Sequence, residues 1–372
     1  MKKTVIRYLV ASPTGDIPAD INKLDFPLEK DPLKTSYRVY FSAITDFLTK
    51  ENCIPLFQAI KENLQIQTSI DYPREIVIRA EKHGALYHPA SIELLVDGKR
   101  IKFGLNVAIT EKGKHALMDE FCILKMLHNK FNLPYIPKPY YIDELNSMVF
   151  LLEEWFEGYH EFHISNTKDG KKRLKLWEYG KGNRFLTNEE AFEIYRQAAM
   201  ILTLYYDIES FRLIFPWHHA AGDFVVKIEG FLDKKIDVRL TTARGYQSFM
   251  GFDDQRISNP KIALVYFLLF LSIQMRIDKI DGLNKIVWAD DFCVDATIKG
   301  FFQGLNLKTD FRNYFHSTEE FIQLLKSFSK KELIKIINPL VKQYEQTKDF
   351  PIINQNLKQH IGNIYSTLRN SL

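Results

Sequence analysis

Residues 91–110, SIELLVDGKRIKFGLNVAIT, constrain the possible fold more than any other part of the chain. Apolar and polar residues alternate on both sides of Asp97-Gly98, the pattern of two antiparallel strands joined by a tight turn. EIVIRAEKHG and the turn-like ALYHPA precede it, so three strands in a meander are expected. In GKHALMDEFCILKMLHNKF, the apolar residues Leu117, Phe121, Leu124 and Leu127 recur at helical spacing. PYIPKPYYID and MVFLLEEWFEG then supply two more strands. The order from residue 75 to 157 reads β-β-β-α-β-β.

The chain has 372 residues, more than one ordinary hydrophobic core needs, which favours two domains or lobes. Residues 1–72 read as an N-terminal extension. They contain a strand, TVIRYLVA, and a helix, ITDFLTKENCIPLFQAIKENL, that Pro55 interrupts. Residues 73–157 form the β-rich part. From 158 to 372 the texture turns helical, with capping-box patterns at TNEE (187–190), STEE (317–320) and SKKE (329–332). Two short strands, DFVVKI and IDVRLTTA, joined by EGFLDKK, interrupt the helices. The expected class is α+β: a small β-rich N-terminal lobe, a larger helical C-terminal lobe and an N-terminal extension.

Bulk properties exclude several classes. The net charge of +4 is small beside 50 basic and 46 acidic residues. The total therefore makes no case for a nucleic-acid or membrane partner, and neither is expected. Three cysteines without a C-x-x-C argue against a disulfide framework or a cysteine zinc site, and for a reducing, cytoplasmic setting. The apolar run IALVYFLLFLSI spans 12 residues, where a bilayer requires about 20, so it reads as a buried helix. The opening MKKTVIRYLVAS is broken by Arg7 and reads as a first strand rather than a leader.

The segment most suggestive of chemistry is PWHHAAGDFVV, residues 216–226, where a polar loop with two adjacent histidines feeds a strand. His218 and His219 are candidate bases near neutral pH, and Asp223, Asp237 and Glu229 offer hard oxygen ligands for Mg²⁺. Arg239 and Arg244 lie in the following hairpin segment, VRLTTARGY. HEFH at 160–163 has i, i+3 histidine spacing, which on a helix would place both rings on one face. Together with the double histidine it defines a candidate metal centre.

A β-rich lobe with one helix after its third strand, followed by a helical lobe holding a short hairpin, resembles the protein-kinase-like phosphotransferases. The small-molecule kinase branch, which includes aminoglycoside phosphotransferases, is the nearest in style. The resemblance covers roughly residues 75–300. NVAIT (106–110) resembles the third-strand segment that ends in a lysine, and Thr110 stands at that position. Glu120 resembles the glutamate that pairs with the lysine. FLLEEWFEGYHEF (150–162), with Glu154, resembles the fifth strand and hinge that receive adenine. Aligned on Gly222 and the strand after it, Asp223 falls on the metal-binding asparagine and His218 on the catalytic aspartate. Thr242 stands where a second metal aspartate belongs.

This resemblance implies ATP and Mg²⁺ as cofactors in a cleft between two lobes. His218, His219 and Asp223 would then be catalytic, and Asp223 and Asp237 would hold metal. Asn106, Thr110, Glu120, Glu154, Arg239, Thr242 and Arg244 would contact the cofactor. Two readings follow. One is a divergent ATP-dependent group transferase that binds a nucleotide or phosphorylated small molecule. The other is a catalytically inactive pseudokinase acting as a binding or scaffold module, with a protein partner. The replaced lysine, base and metal carboxylate support the second, since phosphoryl transfer depends on positioning and charge neutralisation.

Overall fold

The alternating segments of the N-terminal half pair as their pattern requires. In a computed structural model the described residues are 4–12, 15–20, 22–66, 71–84, 86–96, 98–230, 233–248, 259–283 and 285–370. Asp97 of the expected turn lies outside them, while Gly98 takes φ +76°. The strands β1 (Val5–Ser12), β2 (Gly15–Pro18), β3 (Glu75–Ala80), β4 (His88–Val96), β5 (Lys99–Ala108), β6 (Pro139–Leu145) and β7 (Met148–Glu154) form one sheet. Its order is β2-β1-β3-β4-β5-β7-β6. Helix α1 (Tyr37–Leu64) precedes β3, and α2 (Glu111–Phe131) lies between β5 and β6.

The chain is of mixed α+β class and divides into two compact units, residues 1–158 with 179–182, and residues 159–178 with 183–372. The first 72 residues are integrated into the first unit rather than set apart. β1 runs parallel to β3, Val5 opposite Glu75 through Val10 opposite Ala80. On α1, Tyr40, Phe41, Ile44, Phe47 and Leu48 join a core with Ile101, Phe103, Leu105 and Val107 of β5 and Phe150 and Leu152 of β7. The break in α1 falls at residues 50–53, where the backbone is non-helical, so Pro55 sits just inside the second half. A proline is tolerated there because the first amides of a helix lack carbonyl partners anyway.

The second unit opens with strands before its helices, a departure from the helical texture expected beyond Gly158. These are β8 (His160–Asn166), β9 (Lys172–Glu178) and β10 (Gly182–Phe185), followed by α3 (Asn188–Tyr205) and β11 (Arg212–Ile214). Next come β12 (Phe224–Glu229), β13 (Lys235–Leu240) and β14 (Tyr246–Ser248). The two expected hairpin strands are β12 and β13; with β8–β10 they make a sheet of order β10-β9-β8-β12-β13. Short β-rich segments with charged alternate positions were legible as strands only once paired.

The remainder is α4 (Pro260–Gln274), β15 (Ile277–Lys279), β16 (Ile286–Trp288), α5 (Phe292–Leu307), α6 (Thr318–Ser327), α7 (Lys330–Lys342) and α8 (Phe350–Asn370). α4 holds the long apolar run and is buried along nearly its whole length. No helix among the described residues is long and apolar enough to cross a membrane. Two capping boxes form as predicted, at Thr187–Glu190 and Ser329–Glu332. At the third, Ser317 caps α6 through the Glu320 amide, while the Glu320 carboxylate accepts from the His316 amide.

Helices α3 and α5 pack with almost no side chain between them. A Cβ on Gly300 would lie 2.0 Å from the Arg196 carbonyl oxygen, and one on Gly304 would lie 2.7 Å from Thr203 Cβ. Two glycines four residues apart clear one stripe of α5 for this approach. α3 in turn carries β13: Gln197 bonds the Ile236 carbonyl and the Val238 amide, at 2.8 and 3.0 Å.

Candidate functional site

In the second unit the double histidine belongs to a tight loop locked by its own hydrogen bonds. His218 ends the extended stretch, and its Nδ1 accepts from the Ala220 amide at 2.9 Å. Residues His219–Ala221 make one 3₁₀ turn, closed by Gly222 in the left-handed region at φ +70°. Glycine takes that conformation without steric cost. The Asp223 carboxylate then reaches back to accept from the His218 amide at 2.8 Å. Loop entry and exit are thereby tied together.

Asp223 is 1% exposed and meets Arg244 end on. Arg244 Nη2 donates to Oδ1 at 2.7 Å and Nη1 to Oδ2 at 3.0 Å, a bidentate pair. Asp237, on β13, accepts from Tyr159 at 2.9 Å and from Arg239 at 2.9 Å. The register places Lys227 opposite Asp237, so Asp223, four residues before Lys227, is about 13 Å away along the strand. Both expected Mg²⁺ ligands are therefore paired with arginines and stand too far apart to share one ion. Among the described residues, no group of three or more His, Cys, Asp or Glu side chains could hold a metal. The residues present do not fit the Mg²⁺ that the resemblance implies.

The two histidines differ in environment. His219 is 1% exposed, enclosed by Phe162, Tyr195, Trp217 and Phe224 at ring separations of 5.3–5.9 Å. Burial drives its pKa down to about 4, so it is a neutral part of an aromatic core. Its placement does not suit the role of base expected of it. His218 is also held below its ordinary value by burial, which the carboxylates of Asp349 and Asp278 only partly offset. Its Nε2 is buried and makes no hydrogen bond. Of the pair, only His218 has a ring nitrogen held by the loop backbone, and its other nitrogen is buried.

HEFH is strand, not helix, so His160 and His163 point to opposite faces of β8 and share no metal. The same alternation puts Glu161 and His163 on one face. His163 Nε2 lies 3.5 Å from Glu161 Oε2, and Nδ1 lies 3.8 Å from Asp278 Oδ1. Burial opposes a charge on His163, but the two carboxylates outweigh it and hold the pKa at about 9. Asp278 is itself fixed by the Ile164 amide at 2.9 Å and the Lys279 amide at 2.7 Å. A Cβ at Gly222 would lie 3.0 Å from Glu161 Oε1, so this carboxylate borders the loop. Its side chain is 41% exposed. Sequence reasoning missed Glu161, His163 and Asp278 as a set; reading HEFH with period two would have joined the first two. Thr242 is buried in the segment between β13 and Arg244.

The other expected contacts lie in the first unit. Thr110 is the N-cap of α2, accepting from the Gly113 amide at 3.2 Å, because β5 ends at Ala108. It is therefore not the end of a strand, and the alternation taken through it stops two residues earlier. Asn106 donates to Glu153 at 2.8 Å. Burial, reinforced by the neighbouring Glu120 carboxylate, raises Glu153 well above the usual carboxylate range. Glu120 on α2 is buried too. Glu153, unremarked in the sequence, is thus a buried neutral acid under α2. Glu154 accepts from the Lys138 amide at 3.2 Å.

No protein-family model matches the sequence, and no curated protein does. Among solved structures the chain is similar to the crystal structure of a kinase domain. The identity is 12%, the coverage 80% of this chain and 84% of that one, and the TM-score 0.30.

Proposed function

We propose that this is a kinase-like binding module, one that takes a nucleotide or another phosphorylated ligand without transferring its phosphoryl group. The Asp223–Arg244 pair carries this reading. An acid at the position expected to hold metal is already neutralised by a guanidinium, and Asp237 is neutralised in the same way by Arg239. Metal-assisted transfer would require both carboxylates to exchange arginine for a cation. Asp223 fixes the Arg244 guanidinium through both Nη atoms, and with Arg244 28% exposed the N–H groups on its other edge would meet a phosphate.

One observation favours the second reading, an ATP-dependent transferase. His218 is held below its ordinary value by burial, and its buried Nε2 makes no hydrogen bond, which leaves that nitrogen unsatisfied for an acceptor hydroxyl brought against it.

Thermal shift with ATP, ADP and inorganic phosphate, in excess Mg²⁺ and in chelator, separates the two. The binding module gives a rise in Tm that is the same in both conditions, with no turnover of labelled ATP. Absence of any shift at millimolar nucleotide overturns nucleotide binding. Transfer from labelled ATP that is lost in His218→Ala establishes the enzyme.

A further inference from the structure

The near-neutral charge of the whole chain conceals a local concentration. Between residues 168 and 184 there are seven Lys or Arg and two Asp or Glu, an excess of five in a chain whose total is +4. In the second unit, much of this charge lies on the β8–β9 turn and on β9, next to the edge strand β10, with Lys175 largely covered and paired with Asp281 at 3.8 Å. Alternation puts Arg173, Lys175 and Trp177 on one face, with Leu174 and Leu176 buried on the other.

Aromatic rings are interleaved with these cations. Arg173 lies 5.8 Å from the Phe185 ring centre, and Lys175 lies 5.2 Å from Phe185 and 4.8 Å from Trp177. Trp177 is 38% exposed. Beside this ladder runs a groove of about 1140 Å³, lined by Lys168, Lys171, Lys172, Arg173 and Phe185 on its basic side. Asp169, Glu189 and Asp290 also line it. Asp169 is engaged by Lys171 at 3.2 Å, and Glu189 by the Thr187 cap. Lys168 and Lys172 make no ion pair among the described residues.

We infer that this face binds single-stranded nucleic acid. Bases stack on aromatic side chains whatever their identity, and cations spaced between the rings meet the phosphates. A groove flanked by a cation–aromatic ladder fits a linear polyanion. A flat anionic membrane would leave the groove and its edge unused.

The test is fluorescence anisotropy of a labelled oligo-thymidine of about fifteen nucleotides, titrated with the full chain across a salt series from about 50 mM. Binding is expected to weaken with salt, with a log–log slope of about −2, the value for three phosphate contacts on a single strand. Lys168→Glu/Lys171→Glu/Lys172→Glu should lower affinity at least about tenfold and flatten the slope, with Tm unchanged. Trp177→Ala should lower it about tenfold while keeping the slope. The control is Lys331→Glu/Lys335→Glu/Lys342→Glu on α7, which changes net charge equally and should leave affinity within about twofold. Three results overturn the inference: no anisotropy change at low salt, an equal loss in the α7 variant, or capture by phosphatidylserine vesicles without oligonucleotide binding.

Discussion

At the scale of single residues, the energetics centre on two buried carboxyls that solve the same problem differently. Asp223 has Arg244 and the His218 amide as partners. Arg244→Met removes the cationic partner of this buried carboxyl and should cost about 3 kcal/mol. Asp223→Asn combined with Arg244→Met should recover most of it, a coupling that denaturant titration of the four species measures. Glu153 instead gives up its charge. Ionising it while folded is costly, so it favours the folded state fully only below about pH 4.5, and that contribution fades as pH rises. Glu153→Gln, which keeps the Asn106 bond, should raise Tm by a few degrees at pH 8 and leave it unchanged near pH 4.5. None of this was legible beforehand. Asp223 was singled out from its loop, but its partner lies 21 residues on and was set by the hairpin. Glu153 looked like any acid in a strand.

At the scale of elements, the α3–α5 contact is the most sensitive joint. Gly300→Ala places a methyl against backbone that cannot yield, so the helices must separate. A loss of about 3 kcal/mol or more is expected by chemical denaturation, against about 1 kcal/mol for Thr187→Ala at the α3 cap. The caps were readable because an N-cap is a local event of four residues. The glycine stripe was not, because its meaning depends on which helix lies opposite. β8–β10 were missed for a related reason: short, charged strands on one solvated face have weak local signals, and pairing made them strands. The helical reading of HEFH failed with them.

At the scale of the whole molecule, groups in both units set a common pH window. His163 in the second unit is raised from 6.5 to about 9, so its contribution is complete below pH 6.5 and lost as pH climbs through 9. Glu153 in the first unit acts in the same direction. Glu190 is opposite: burial disfavours its charge, but Arg184, Lys234 and the Thr187 amide outweigh this and bring it to about 2. Its contribution is complete above pH 4.5 and lost as pH falls toward 2. His219, lowered to about 4, and the buried His360, lowered to about 3, add to the acid side, their contributions complete only above about pH 6.5, so Tm should peak near pH 6.5. His163→Gln should flatten the alkaline limb and Glu190→Gln the acid limb. A Tm rising steadily from pH 6 to 9 would contradict the assignment of His163.

The amino-acid order determined what depends on neighbours along the chain. That includes the meander and helix of the first unit, the β12–β13 hairpin, the buried apolar helix and the caps. Periodicity and capping are properties of a few consecutive residues, so they can be read without coordinates. The tertiary structure decided which charges meet. Arginines neutralise the two expected metal ligands, one histidine is neutral in an aromatic core and another is cationic between two acids. Those outcomes depend on burial and on partners distant in sequence, and only the folded chain supplies both.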